Sequence, residues 1–528
     1  MRYLKSGLMV ISIISSLIAC QKAEETQLVF GENISGEVGL MEEFVTTEGQ
    51  TVLGDVIDIP YSIENLLKAY ENLPDQTKSQ ISPDDIQPTH YYIRFYPKSI
   101  EEQDILRNIK PYVFLSETPL DRKVVVGGSS YHDPSIPEDL PTFQYTVVSV
   151  ARWTELEKTV PVEAKILIKA YIPDYDEAYT TKSEHKYGIP TSAYEDLLKE
   201  AYRITGNEYF PETKSSWNPS GRIRAYDDSF NTMTAVPGVR VRATHLLKVK
   251  ETLTDEQGRF TLPSFNSSVT YKIIWESDDW DIRDGLTGQA TYDGPNLSTQ
   301  WFPEIGTSHE KNVRYAATHR AAYRWFYGDI DGLIRPDLSD KLKICQRVEA
   351  SSHRGVFTNS GAMGWHVEIW IHDSMGNNRA IRTSYEAAAH EIGHAAHYSR
   401  VDSYNSYSDS IKESWAQFVE GILTQKEYGT YSSNYIMVHD SWPEINHPEY
   451  TPIFIDLYDD VNQHILNENT PNDSVSGFSI WQLNIILLNG STNLSELQDN
   501  LTPLPAGVTT DQINAFILEY ENDWVEDN

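Results

Sequence analysis

Only two cysteines, Cys20 and Cys345, occur in 528 residues. No disulfide framework and no cysteine-built metal site can be assembled from them. Basic residues are scarce as well: 43 Lys and Arg stand against 77 Asp and Glu, a formal net charge of −34. A surface of that sign repels phosphate backbones and anionic headgroups, which excludes nucleic-acid binding through a basic footprint. Long apolar runs are missing too. The most extended one, Gly7 to Ala19, falls short of the ~20 residues that a membrane span requires. What remains is the composition of ordinary globular domains, 40% apolar and 23% charged. The chain is too long for one hydrophobic core, so several domains are expected.

The short apolar run has a function of its own. Arg2 and Lys5 precede it, giving the layout of a secretory signal over residues 1–19. It closes with Leu17-Ile18-Ala19-Cys20, which resembles the lipobox of bacterial lipoproteins. That resemblance implies cleavage before Cys20 and its acylation. The following Gln21-Lys22-Ala23-Glu24-Glu25 is similar to the acidic export tags of some outer-membrane lipoproteins, implying an exported chain lipid-anchored at the outer membrane, on the cell surface. Membrane contact is then expected through the anchor alone. Cys345, between Leu342-Lys343-Ile344 and Val348, reads as a packed thiol in a buried strand.

Residues 20–50 are polar and read as a tether. Residues 51–205 read as a β-rich domain of no assignable chemistry, with one helical stretch (Ile63 to Leu73). Strand-like alternation appears at Tyr91 to Tyr96 and Thr146 to Val150. Over residues 217–280 period-two alternation recurs at Gly221 to Asp227 and Gly238 to Ala243, followed by Tyr271 to Trp275. Asp255-Glu256-Gln257-Gly258 is a hairpin signal, since Asp bonds its own backbone and Gly accepts positive φ. The pattern resembles the carboxypeptidase regulatory-like domain, implying a transthyretin-like β-sandwich. Asp278, Asp279, Asp281 and Asp284 lack the spacing of a calcium loop and read as a solvated acidic turn. From residue 285 to 528 the periodicity turns largely helical, beginning with an amphipathic, aromatic-rich run from Arg314 to Tyr327. Strands at Leu342 to Val348 and His366 to His372 interrupt it.

The chemistry concentrates in Ser384-Tyr385-Glu386-Ala387-Ala388-Ala389-His390-Glu391-Ile392-Gly393-His394. Ser384 suits an N-cap, and the alanines favour helix. Residues four apart on a helix are separated by only about 40° around the axis. His390 and His394 can therefore offer two imidazoles to one tetrahedral zinc. Glu391, rotated by about 100°, stands beside the metal as a general base. Eighteen residues after His394, on a second helix expected to start near Ser408, comes Glu413. A carboxylate there completes a two-His, one-Glu set with an open position.

This arrangement resembles the gluzincin metallopeptidases, and most closely the aminopeptidase-N-like family, whose two motifs are also eighteen residues apart. Glu413, Ala416, Phe418 and Glu420 match that family's second motif. The resemblance implies Glu413 as a zinc ligand and Glu420 as a supporting or surface residue. Upstream, Gly361 and Met363 match the family's cleft-lining motif, whereas Gly364 and Trp365 replace its amine-binding Glu and Asn. That departure implies endopeptidase activity or unusual specificity in place of aminopeptidase action. Gln417 stands where thermolysin-like relatives orient a ligand histidine with Asp. His397, one turn past His394, lacks the metzincin ligand spacing and reads as packing. A transition-state-stabilising group is expected among Tyr435, His439, Tyr458 and His464.

The expected architecture is therefore multidomain. A β-rich N-terminal region and a β-sandwich precede an α+β metallopeptidase domain (285–528) with a helical C-terminal lobe. The expected activity is hydrolysis of extracellular peptides or proteins, with zinc as cofactor. The alternative is an inactive surface adhesin or glycan- or protein-binding lipoprotein on a peptidase-like fold, motivated by the β-rich half and the abundant aromatics.

Overall fold

A computed structural model describes residues 44–173, 175, 189–209, 216–347, 355–358, 368–372, 380–431, 451–462, 465 and 475–523. The signal and Cys20, the Gly361–Trp365 motif, and Tyr435, His439 and His464 lie outside them. All described residues belong to one unit, Phe44–Asn528. No helix among them is long and apolar enough to cross a membrane.

The first layer comprises β1 (Val52–Val56), α1 (Ile63–Asn72), α2 (Asp75–Lys78), β2 (His90–Phe95), α3 (Ile100–Arg107), β3 (Arg122–Val126), β4 (Gln144–Ser149), α4 (Val150–Thr159), β5 (Ala164–Ala170) and α5 (Thr191–Thr205). Strands order as β4-β2-β5, with β1 and β3 forming a separate ribbon. Alternation along β2 sends Tyr92 into one core with Leu66 of α1 and Leu197 of α5. Ile93 and Phe95 enter another with Leu106 of α3 and the Trp153 and Leu156 side chains of α4. Helices thus cover both faces of this sheet. The expected tether is partly fixed: Thr47 N bonds Gly127 O (2.9 Å). The Glu48 carboxylate accepts from Lys311 N at 3.0 Å, where it neutralises a helix N-terminus.

The region expected as a sandwich comprises β6 (Ser220–Arg222), β7 (Arg224–Asp227), β8 (Thr232–Ala235), β9 (Arg240–His245), β10 (Lys248–Leu253), β11 (Arg259–Thr261) and β12 (Val269–Ile274). The Asp255–Gly258 turn forms as expected, with Asp255 Oδ1 accepting from Gln257 N and Arg259 N and Gly258 at φ +73°. However, β10 pairs with β9 and β11 with β6, so the turn is a corner between two sheets and not a hairpin.

Next follow β13 (Trp280–Asp284), β14 (Gly288–Gln289), β15 (Thr291–Leu297), β16 (Glu304–Ile305), α6 (Glu310–Tyr327), β17 (Leu342–Arg347), β18 (Gly355–Thr358) and β19 (Glu368–His372). β15 returns to the sandwich beside β12, whereas β13 pairs in parallel with β17. The expected 280/285 boundary falls inside this exchange, so the two regions interlock through their strands. The second sheet runs β14-β13-β17-β19-β18, with β18 antiparallel at its edge. Cys345 is fully buried in β17, as its flanks suggested. α6 is buried on nearly every side and not amphipathic, because it lies between β7 of the sandwich and α7 (Arg382–Tyr398). Its Arg320 is paired with Asp227 at 2.8 Å. α8 (Asp409–Tyr428) packs against α7, and the C-terminal lobe adds helices at Ile453–Tyr458, Ile480–Leu488, Leu494–Asn500 and Thr510–Asp523.

The acidic group at 278–284 is solvated in part: Asp278 and Asp279 are exposed, as expected, whereas Asp281 is buried and Asp284 half-buried. Period two sends Trp280 and Ile282 into the helix-side core, and Asp281 and Arg283 toward α3. There Arg283 donates to Gln103 Oε1 (2.8 Å), and Asp281 is paired with Arg107 and with Arg283 (3.3 Å). Asp284 bonds Lys311 at 3.0 Å. Asp278 pairs with Arg240 (2.7 Å) and Asp279 accepts from the Tyr327 hydroxyl.

Burial alone would raise the Asp281 pKa, but the Arg107 and Arg283 guanidiniums outweigh it and hold it down to about 2. The unfolded value is about 3.9. The ionised pairing thus contributes fully above that pH and fades as acid brings the pH through 2. Asp281→Ala would leave buried Arg283 without its carboxylate and Arg107 with Glu117 as its remaining ion-pair partner. The expected cost is about 3–5 kcal/mol, read as a lower urea midpoint at neutral pH. An unchanged midpoint would show that the pairing contributes nothing.

Candidate metal centre

α7 carries the two histidines along a buried helix, with Ser384 to His397 all buried. Its cap is not Ser384, which sits inside the helix near Arg314 Nη1 (3.5 Å). The helix starts at Arg382, and the Ile381 N–H just before it donates to the Asp228 carboxylate of the sandwich at 2.9 Å. Small residues then let α8 approach. A Cβ on Gly393 would lie 3.5 Å from Ala416 Cα and 3.6 Å from Val419 Cβ, ordinary contact with nothing to spare. A bulky side chain at 393 would push the helices apart, and with them Glu413 from the histidines. α8 begins after Ser408, as expected.

That approach brings His390, His394 and Glu413 together. Glu413 Oε2 lies 3.1 Å from His390 Nε2 and 3.3 Å from His394 Nε2. The three candidate ligand atoms all fall within 4.8 Å of one another. The imidazoles stand nearly perpendicular, at 80° with centroids 4.9 Å apart. Two nitrogens and one carboxylate oxygen facing a common point fit a tetrahedral divalent cation with one position left open.

The outer nitrogens are also engaged. His390 Nδ1 lies 3.3 Å from the fully buried Glu420 carboxylate, two turns beyond Glu413, so Glu420 supports the ligand and is no surface residue. His394 Nδ1 lies 3.1 Å from the Tyr404 hydroxyl. Such partners fix which nitrogen faces a metal. Gln417 is buried, but its Oε1 has no hydrogen-bond partner among the described residues.

The electrostatics also suit a cation. Burial pulls the His390 pKa down, but the Glu413 and Glu420 carboxylates outweigh it and push it up to about 10. Burial likewise opposes ionisation of Glu413, yet His394 and His390 hold its carboxyl well below the usual range.

Glu391 is 5% exposed and lies against β18. A Cβ on Gly355 would fall 2.7 Å from Glu391 Cγ and 2.8 Å from its Cδ, so only glycine lets the carboxylate reach the sheet edge. Phe357, two residues along β18, packs 5.9 Å from His394.

His397 is outside the ligand group. Its ring sits edge-on between Tyr404 (5.0 Å) and Tyr407 (4.5 Å). Burial drops its pKa to about 3, helped by His394 and Lys412. Tyr458 is not brought to the histidines; it packs on Phe418 (5.3 Å). Tyr404 and Phe357 were not foreseen. Both depend on which loop and strand fold over α7, and no local spacing marks them.

The described residues thus define a candidate metal centre of the two-histidine, one-carboxylate kind. Compared with known proteins, the chain matches no family model, no curated protein and no solved structure.

Proposed function

We propose that this chain is a zinc-dependent peptidase acting on extracellular peptides or proteins. The observation that carries the reading is the convergence of His390, His394 and Glu413 with Glu391 beside them at a sheet edge. The motif spacing, similar to that of gluzincins, points the same way. When bound, the cation supplies Lewis acidity, acidifying a water and polarising a carbonyl.

The chain's own residues supply the rest. Glu391, adjacent in sequence to a ligand but not itself in the ligand group, is placed to take the water's proton and return it to the leaving amine. Among the described residues β18 pairs only with β19. Its outer edge offers backbone donors and acceptors to an extended peptide, and Phe357 offers a side-chain contact. Burial around the site strengthens each electrostatic interaction. Export and lipid anchoring through Cys20 would put this chemistry outside the cell.

A library of diverse peptides is the direct substrate test. The purified chain should cleave a subset, lose cleavage on treatment with a chelator, and regain it when zinc is restored. A zinc-loaded, folded chain that cleaves nothing would overturn the proposal and favour a binding role.

A further inference from the structure

The eighteen residues between His394 and Glu413 do more than connect two helices. They include a single 3₁₀ turn, Tyr404–Ser406, that drops Tyr404 into the space behind His394. Tyr404 is 8% exposed. Its ring meets Phe357 at 5.7 Å, Tyr398 at 5.6 Å and His397 at 5.0 Å, all close to edge-on. The Lys412 ammonium lies 5.4 Å from its centroid. With the ring held by these neighbours, the hydroxyl has one place to be, 3.1 Å from His394 Nδ1.

The chemistry of that contact differs from the one at the other histidine. His390 faces carboxylates at both nitrogens, Glu413 at Nε2 and Glu420 at Nδ1. A carboxylate can only accept, whereas a hydroxyl can donate or accept by rotating about its C–O bond. For His394 Nε2 to present its lone pair to a cation, the ring proton must sit on Nδ1, and Tyr404 Oη must then accept it. With no cation, a neutral His394 can carry its proton on Nε2 and donate to Glu413 Oε2, 3.3 Å away. Nδ1 is then the acceptor, and the Tyr404 hydroxyl donates to it. One hydroxyl therefore satisfies both tautomers without moving the ring.

We propose that Tyr404 is a positioning residue that keeps the His394 imidazole in its ligand orientation whether the site is loaded or empty. The inference rests on reading His390, His394 and Glu413 as a metal site, and it goes further in making that site preformed. A neutral partner at one histidine and an anionic one at the other also keep a further negative charge away from the cation.

Tyr404→Phe in the full chain removes only the hydroxyl and leaves the ring packing. Zinc affinity, measured by competition with a chromogenic chelator, should weaken about 10–100-fold. The visible absorption of the cobalt-loaded protein should shift and broaden, while far-UV circular dichroism stays unchanged. Wild-type affinity and an unaltered cobalt spectrum in the variant would overturn the role of Tyr404.

A second measurement needs no variant. ¹⁵N shifts of His394 in the wild-type chain should place its proton on Nδ1 when zinc is bound. They should place it on Nε2 in the metal-free protein at a pH where the ring is neutral. A proton on Nδ1 in both states, or zinc on Nδ1, would overturn the proposal. Wild-type protein that binds no zinc would instead refute the metal site itself, so the two failures are distinguishable.

Discussion

Glu391→Gln should leave zinc in place and slow peptide hydrolysis by about 10²–10⁴-fold, the range general-base catalysis contributes. Glutamine keeps the length and volume of glutamate, so it fits the narrow space against Gly355 that admits no extra Cβ. The ligands are untouched, because Glu391 is turned about 100° from His390 around the helix and is not among the three converging groups. What the substitution removes is a carboxylate able to take and return a proton. Metal analysis and far-UV circular dichroism on the same preparation separate lost chemistry from lost zinc or lost structure. A variant that cleaves at the wild-type rate would exclude Glu391 as the base.

His390→Ala should cut zinc content from about one per chain to near zero. Two protein ligands cannot replace the three-ligand set that such sites use. The substitution also takes away the partner shared by Glu413 and Glu420, 3.1 and 3.3 Å from its two nitrogens. It leaves both carboxylates without the imidazole that bridges them to α7, which should weaken the α7–α8 contact as well. His397→Ala is the matched control on the same helix. Its ring packs between Tyr404 and Tyr407, outside the three-ligand group, so at saturating zinc the content should stay near one per chain even where loosening of Tyr404 lowers the affinity. Equal zinc loss in both variants would mean that the metal is bound elsewhere or that the fold is failing.

The candidate metal ligands were legible in the sequence because helical geometry is local. Four residues separate His390 from His394, so any helix through them aligns the two imidazoles. Glu413 was legible because a gap of eighteen residues supplies a loop and a helix start, enough to return a second helix against the first. Strands β2 and β4 were visible in their alternation, β17 in its apolar flanks around Cys345, and Gly258 in its turn chemistry.

What the sequence did not disclose depends on partners far away along the chain. Asp281 reads as an exposed acid until Arg107, from α3, is seen beside it. The alternation of β13 is the same whichever sheet it joins, so its pairing with β17, in place of the sandwich, left no mark. Asp228 displaces Ser384 as the group at the start of α7 for the same reason. Tyr404 lies in a loop whose path only the packed structure determines.

The most direct test of the central claim compares peptide cleavage by the wild-type and Glu391→Gln chains at equal, measured zinc content. The wild type should cleave and the variant should be nearly inert. Equal rates from the two chains, or no cleavage by a fully zinc-loaded wild type, would contradict it.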